Sequence, residues 1–386
     1  MTPAARVAAA IEILDHWRSG TPVEKALTNW ARRSRFAGSK DRAAIRDHVF
    51  DALRRARSTE ALGGASGRGM MIGLLRQQAQ DLDAIFNGEG HAPEPLTKGE
   101  NSPPTMTSNQ AERVDCQDWQ LDLLSASVGP EKAQDIFSAQ RERAPVFLRV
   151  NVQKATLANA QQSLSDDQIE TRPHSDVQNA LEVITNARRI QNSKAYTDGL
   201  VELQDASSQA AIERLGAVTG LRVLDYCAGG GGKSLALAAL GAKVTAHDID
   251  AKRMKDIPAR AARAGVRIDV ASSPNKVAAY DLVFVDAPCS GSGTYRRTPE
   301  AKWSLTQDRL SELCLTQERV LNQSRQFACT NGRIAYATCS VFSEENQKIV
   351  QNFLEQNPEW VLLDEMRRFP SNTGDGFYLA IMEKQS

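Results

Sequence analysis

Two hydrophobic periods divide this chain. From residue 3 to about 141 the apolar positions recur at helical spacing. Val7, Ile11, Leu14 and Trp17 stand three and four apart, which predicts an amphipathic helix over 3–19. Helical patterning continues over 22–35, 38–57 and 69–86, with Ser39 placed to cap the helix over 38–57. Residues 87–110 are rich in Gly, Pro, Ser and Asn and read as a linker or long loop. Helices resume at 118–126 and 130–141, parted by Gly129-Pro130; Pro130 is tolerated in a first helical turn.

After residue 145 strands appear. A strand at 145–151, a helix at 154–164 and a strand at 180–184 predict a small α+β module over about 145–200. Residues 196–213 lead into a helix ahead of the central strand, and an alternation follows, with strands expected at 221–225, 243–247, 267–271, 280–286, 333–337 and 376–382. Tyr280–Asp286 is an almost unbroken apolar run, as expected of a strand covered on both faces. Helices are expected at 306–328 and 343–356. This order predicts an α/β doubly wound sheet, in which ligands gather at the carboxyl ends of the strands. Asp225, Asp248, Asp286 and Cys339 stand at those ends.

The densest local signal is LRVLDYCAGGGGKSLALAAL at 221–240, a strand, four glycines and an alanine-rich helix. Glycines permit a tight turn and close approach of a ligand, and a helix start offers free N–H groups. A Walker loop requires a glycine where Cys227 stands. A dinucleotide turn requires G-x-G-x-x-G, which Gly229, Gly231 and Gly232 do not form. S-adenosylmethionine (SAM) tolerates looser glycine patterns, and a turn without ligand is the remaining alternative. Asp248 stands where an acid receives ribose hydroxyls; the competing reading is a helix cap, a task Asp250 is placed to take. Beside the adenine, after the third strand, the candidates are Asp269, Ser272 and Ser273.

Composition narrows the class. The 386 residues are 41% hydrophobic and 24% charged. No apolar run approaches the roughly eighteen residues needed to span a bilayer. Glu12 and Asp15 argue against a secretory signal. Six cysteines without a C-x-x-C pair argue against a disulfide framework and a zinc site, and favour a reducing, cytoplasmic setting. The zero net charge hides an asymmetry. Residues 1–80 hold fourteen Lys/Arg against seven Asp/Glu, and residues 81–120 hold two against eight. Arg32, Arg33, Arg35, Lys40, Arg42 and Arg46 would cluster around one turn able to contact phosphate. A solvated helical face would look the same from charge alone.

Two cysteines follow neighbouring strands: Cys289 in DAPCSGSG and Cys339 in ATCS. A free cysteine is usually an apolar filler, the reading given to Cys314 and Cys329. With PVFLRVN (145–151), LQDASSQ (203–209), LDYCAGGGGKS (224–234), DAPCSGSGTYRRTPEAKW (286–303), YATCSVFSEENQ (336–347) and DGFYLA (375–380), the chain resembles the Sun/Fmu-type (NOL–NOP–Sun) RNA cytosine-5 methyltransferases, nearest those acting on bacterial small-subunit ribosomal RNA. The resemblance covers about 145–382, and the basic N-terminus is similar in pattern to a NusB-like RNA-binding domain.

The resemblance implies a Rossmann-like SAM-dependent methyltransferase domain over 201–386. Ahead of it come a helical connector and RRM-like module over 118–200, a linker over 86–117 and NusB-like helices over 1–85. It implies that Cys339 attacks cytosine C6 and that Cys289 assists product release. Asp286 would meet the N3/N4 edge of the base, with Lys233 nearby. The cofactor SAM would lie against Cys227, Ala228, Gly229, Gly230, Gly231, Gly232 and Lys233, with Asp248 on the ribose, Asp286 nearby and Ser272 at the third acidic position. A thiolate added to C6 makes C5 nucleophilic enough to take a methyl group, dividing one hard step into two easier ones. A base inside a helix is out of reach, so the substrate would be an unpaired or flipped cytosine. The expected partner is ribosomal RNA, without metal or membrane, and the chain is expected to be a monomer. The rival readings are the same chemistry on tRNA and a catalytically silent RNA-binding assembly factor. Two departures stand out. The family's turn reads CAAPGGKT where this chain has Gly229-Gly230, and losing the proline is expected to weaken cofactor binding modestly. The family's third acid has no clear equivalent. Arg296, Arg297 and Lys302 suit phosphate contacts, and Trp303 suits either stacking on a base or, as the favoured reading, closing the core.

Overall fold

Thr2 accepts the Ala5 N–H and Pro3 fills the first turn, so α1 (Pro3–Arg18) starts with its free donors partly satisfied. The computed structural model describes residues 1–102, 108–274 and 280–385. It divides into two units, Met1–Arg143 with Tyr295–Ser304, and Ala144–Thr294 with Leu305–Ser386.

In the first unit α1 is followed by α2 (Val23–Arg33), α3 (Ser39–Arg54), α4 (Ala56–Gly63) and α5 (Gly67–Gln77). Ile13, Leu14, Ile45, Val49, Leu53 and Met70 are buried in their shared core. Three details differ from the sequence reading. Gly38, in extended conformation, holds the capping position and Ser39 is already helical. The helix expected over 38–57 breaks at Arg55. The helix expected over 69–86 stops at Gln77, passes Ala79 at φ 52° and restarts at Leu82–Ile85, where Asp81 accepts the Asp83 and Ala84 N–H groups. No helix or strand occurs among the described residues of 87–109, and three further helices, Gln110–Arg113, Asp118–Val128 and Pro130–Ala139, belong to this unit.

The segment Tyr295–Ser304 closes the first unit. Lys302 is 0% exposed and its Nζ donates to the Arg54 carbonyl at 3.0 Å. Trp303 Nε1 donates to the Leu53 carbonyl at 2.8 Å, and Arg54 Nε donates to the Arg296 carbonyl at 2.6 Å. The last carbonyls of α3, which lack helical partners, are met this way. Arg296 is 2% exposed. The phosphate contacts expected of Arg296 and Lys302 are therefore corrected: both are interior groups, and only Arg297 of the three is partly exposed. Trp303 packs against the helical core.

The second unit contains two sheets. β1 (Val146–Val150), β2 (Thr171–Pro173), β3 (Ala180–Val183) and β4 (Val201–Leu203) are antiparallel in the order β2-β3-β1-β4. The helix Leu157–Asp166 joins β1 to β2, and a 3-10 turn with the helix Lys194–Thr197 joins β3 to β4. This is the βαββαβ pattern of a ferredoxin-like module.

The larger sheet has β5 (Arg222–Asp225), β6 (Lys243–Ala246), β7 (Ile268–Val270), β8 (Tyr280–Asp286), β9 (Ala328–Thr338), β10 (Trp360–Arg368) and β11 (Phe377–Lys384). Their order is β10-β11-β9-β8-β5-β6-β7. From β7 to β9 neighbours are parallel; β11 is antiparallel to both β9 and β10. Val223, Leu282 and Phe284 enter one core while Leu224, Val283 and Val285 enter the other, so both faces are covered. The strand order reverses between β5 and β8, and the crevice at such a switch point is where α/β sheets take ligands.

Candidate active site

β5 ends at Asp225 and the chain turns through the glycines into the helix Gly232–Ala239. Gly229 and Gly231 have φ of 51° and 79°, where side chains are strained. A Cβ at Gly231 would stand 2.7 Å from Ile257 Cγ1, and one at Gly229 would stand 2.9 Å from Arg253 Nη2. The N–H groups of Gly230, Gly232 and Lys233 meet no acceptor among the described residues, whereas that of Ala228 is bonded to the His247 carbonyl. The turn thus offers a bare cradle with donors at a helix start, which fits the polar end of a nucleoside ligand such as SAM. Beneath it Ser234 Oγ donates to Asp225 Oδ2 at 2.6 Å, and complete burial pushes the Asp225 carboxyl up to about 7. Cys227 packs partly against the core, and burial pushes its thiol up.

Asp248 follows β6 and is buried. Its Oδ2 accepts the Gly229 N–H at 2.9 Å and lies 3.1 Å from Arg253 Nη1, while Oδ1 accepts the Asp250 N–H at 3.0 Å. Asp250, not Asp248, caps the following 3-10 turn through the Lys252 N–H. Arg260 donates to the Gly230 carbonyl, and Arg260 and Arg263 both pair with Glu202. Arg260 therefore braces the turn at Gly230, where the expected proline is missing. Ser272 and Ser273 are exposed just past β7, and Asp269 within β7 pairs with Arg267 at 3.3 Å.

At the end of β8, Asp286 Oδ2 lies 2.6 Å from Lys233 Nζ. Burial alone would lower the Lys233 ammonium, but Asp286, Asp225 and Cys339 together raise it. Cys289 and Cys339 approach with their sulfurs 3.4 Å apart. The Cys289 thiol is raised well above its ordinary range, first by its hydrogen bond to Cys339, then by burial and by the charges of Cys339 and Glu345. Burial and the neighbouring Cys339 thus favour the protonated form of Cys289.

The loops carrying these cysteines are laced together. Gly293 N–H donates to the Cys339 carbonyl at 2.8 Å, Ser292 Oγ and Ser340 Oγ lie 2.9 Å apart, and Val341 N–H donates to Ser292 Oγ at 2.9 Å. Glu345 and Asn346 each hold one loop. Glu345 is fully buried and accepts the Ser290 N–H at 2.7 Å, Ser290 Oγ at 2.5 Å and Gln317 Nε2 at 2.9 Å. Asn346 accepts Thr338 Oγ1 at 2.5 Å and donates to the Ser340 carbonyl at 3.0 Å. Sequence reasoning assigned neither residue a part, although both lie inside the SEEN segment of a matched stretch. The structure brings Cys339, Cys289, Asp286 and Lys233 together at adjoining strand ends, and Asp248 to the glycine turn.

Residues 214–382 match the family model of the 16S rRNA methyltransferase RsmB/F, and residues 117–191 match its ferredoxin-like domain. The chain is 32% identical to ribosomal RNA small subunit methyltransferase B of Vibrio cholerae over 295 residues, covering 72% of this chain and 68% of that protein. It is 30% identical to the protein of the same name from Yersinia pestis, covering 82% and 73%. Among solved structures, PH0851 has a TM-score of 0.77 at 23% identity over 100% of this chain and 99% of its own. A methyltransferase homolog protein from Pyrococcus horikoshii has a TM-score of 0.63 at 23% identity over 71% and 97%.

Proposed function

Because the chain belongs to the 16S rRNA methyltransferase RsmB/F family, we propose that this RNA methyltransferase modifies cytosine C5 in small-subunit ribosomal RNA in the cytoplasm. The observation that carries the reading is the pair of sulfurs 3.4 Å apart, beside the Lys233–Asp286 ion pair and the glycine turn. SAM, the cofactor of the family, supplies an electrophilic methyl group on its sulfonium.

Cys339 reacts as its thiolate, with the Cys289 sulfur 3.4 Å away. That thiolate adds to C6 of an unpaired cytosine, forming a sulfur–carbon bond and leaving C5 electron-rich. Asp286 holds the N3/N4 edge of the base, and Lys233 fixes Asp286 while carrying positive charge close by. After methylation the C5 proton passes to solvent, the electron pair of that C–H bond re-forms the C5–C6 double bond, and the sulfur–C6 bond breaks to return the Cys339 thiolate, with Cys289 assisting that release. Asp248 and the turn from Cys227 to Lys233 hold the cofactor, with Ser272 near the adenine.

The reading is tested with Cys339→Ala and Cys289→Ala on transcripts of small-subunit ribosomal RNA. Cys339→Ala is expected to abolish methyl incorporation. Cys289→Ala is expected to leave a protein–RNA adduct, seen as a shifted band in a denaturing gel. The opposite pattern would reverse the two roles. Failure of the native enzyme to form any adduct on 5-fluorocytosine transcripts that it methylates would remove the covalent mechanism altogether.

A further inference from the structure

Of the fourteen Lys/Arg in residues 1–80, eight are held by carboxylates, among them Arg6 by Asp41, Arg18 by Glu60, Arg33 by Glu12 and Arg46 by Glu24. Arg76 donates to backbone carbonyls. Lys25, Arg32, Arg35, Lys40 and Arg42 have no ionic partner among the described residues. Four of these five flank a single turn, the connection from α2 to α3. The surplus positive charge of the N-terminal region is therefore concentrated there. Asp41, the acid nearest in sequence, is already engaged by Arg6 and the N-terminal ammonium.

Phe36 stands at the middle of this turn with 76% of its surface exposed. The backbone beneath it is fixed: Ser34 N–H donates to the Trp30 carbonyl at 2.9 Å, Ala37 N–H donates to the Ser34 carbonyl at 3.1 Å, and Trp30 and Ala37 are buried. An aromatic ring is thus presented to water on a braced turn, flanked in sequence by exposed cations that have no ionic partner among the described residues. Single-stranded nucleic acid is recognised by this combination, since every base has a face to stack on and every linkage a phosphate.

We propose that the α2–α3 turn is a docking surface for an unpaired stretch of RNA, with Phe36 stacked on a base and Arg32, Arg35, Lys40 and Arg42 on the flanking phosphates. The proposal rests on the RNA-methyltransferase reading and names a contact of the substrate away from the reacting base. A lone exposed phenylalanine is unremarkable on a protein surface; the uncompensated charge around this one selects a polyanion over a protein partner.

The test uses the full chain without methyl donor, a fluorescein-labelled single-stranded RNA and the same sequence as a duplex, read by anisotropy across a salt series. Phe36→Ala is expected to weaken single-strand binding about tenfold, to leave duplex binding unchanged and to keep the salt slope. Phe36→Trp is expected to restore affinity. The quadruple variant Arg32→Ala, Arg35→Ala, Lys40→Ala, Arg42→Ala is expected to reduce the slope of log K against log salt by about 3 for the single strand. All these side chains are exposed, and a melting curve checks that each variant folds. Equal affinity of Phe36→Ala and native protein for the single strand, or an unchanged slope in the quadruple variant, would overturn the proposal. So would equal loss on both RNAs. If the native chain bound no RNA, the functional reading itself would fail; if it bound and methylated RNA while Phe36→Ala behaved as native, only the docking surface would.

Discussion

Glu345 holds the loop that carries Cys289. It is a fully buried carboxylate whose hydrogen bonds come from Ser290 and Gln317, next to Cys289. Charge-assisted bonds to neutral donors of this kind contribute roughly 1.5–3 kcal/mol each. Glu345→Gln keeps the shape and one acceptor but removes the charge that helps keep Cys289 protonated. The expected outcome is a fall in kcat of about tenfold, with KM for RNA nearly unchanged and partial accumulation of the adduct seen with Cys289→Ala. Single-turnover kinetics beside a denaturing gel would check it, and a lower melting temperature with no extra adduct would reduce Glu345 to a structural group. Motif matching located Cys289 and Cys339, because their residue types announce their chemistry. Glu345 and Asn346 act through bonds to residues about 55 and 8 positions away, and such pairings appear only when the chain is folded.

At the scale of elements, α4 and α5 illustrate a constraint that composition conceals. A Cβ at Gly73 would stand 2.0 Å from the Thr59 carbonyl oxygen and 2.8 Å from its Cα. Gly73→Ala would force the helices apart and is expected to cost about 1–3 kcal/mol, measurable as a lower denaturation midpoint with unchanged far-ultraviolet dichroism. The long periodic elements were legible because their apolar spacing is sustained: α1, the helix Gln307–Ser324 and β8 stand close to where the pattern placed them. Elements too short or too mixed to show a period were not. β2 and β4 have three residues each, and β10 (WVLLDEMRR) is charged over its second half and exposes Leu362 and Leu363. The break at Arg55 between α3 and α4 has neither Gly nor Pro to announce it. Lys302 gives this scale a pH signature. Burial brings its ammonium down to about 8 from an ordinary 10.5. Between those values the unfolded chain holds the proton that the folded chain has shed, so stability rises with pH across the window. Relative to Lys302→Met, the native protein is expected to gain melting temperature between pH 8 and 10, and parallel curves would show that burial does not perturb this lysine.

For the whole molecule, the division at Arg143 is not a simple cut. The first unit includes Tyr295–Ser304, whose Lys302 and Trp303 meet the end of α3 and whose Lys302 carbonyl accepts from Gln117 and Gln120. A fragment of residues 1–143 would leave those buried groups without partners. It is expected to unfold at lower denaturant than the same helices in the intact chain, as hydrogen exchange at α3 would register. RNA binding by the N-terminal region is for the same reason better probed by surface substitutions than by deletion. The excursion also bears on biosynthesis. At roughly 5–20 residues per second, a ribosome needs on the order of ten to thirty seconds to pass from the end of the first segment to the lysine that completes it. During that interval the nascent helices wait with an open seam while most of the second unit emerges, and they are a natural client for a holding chaperone.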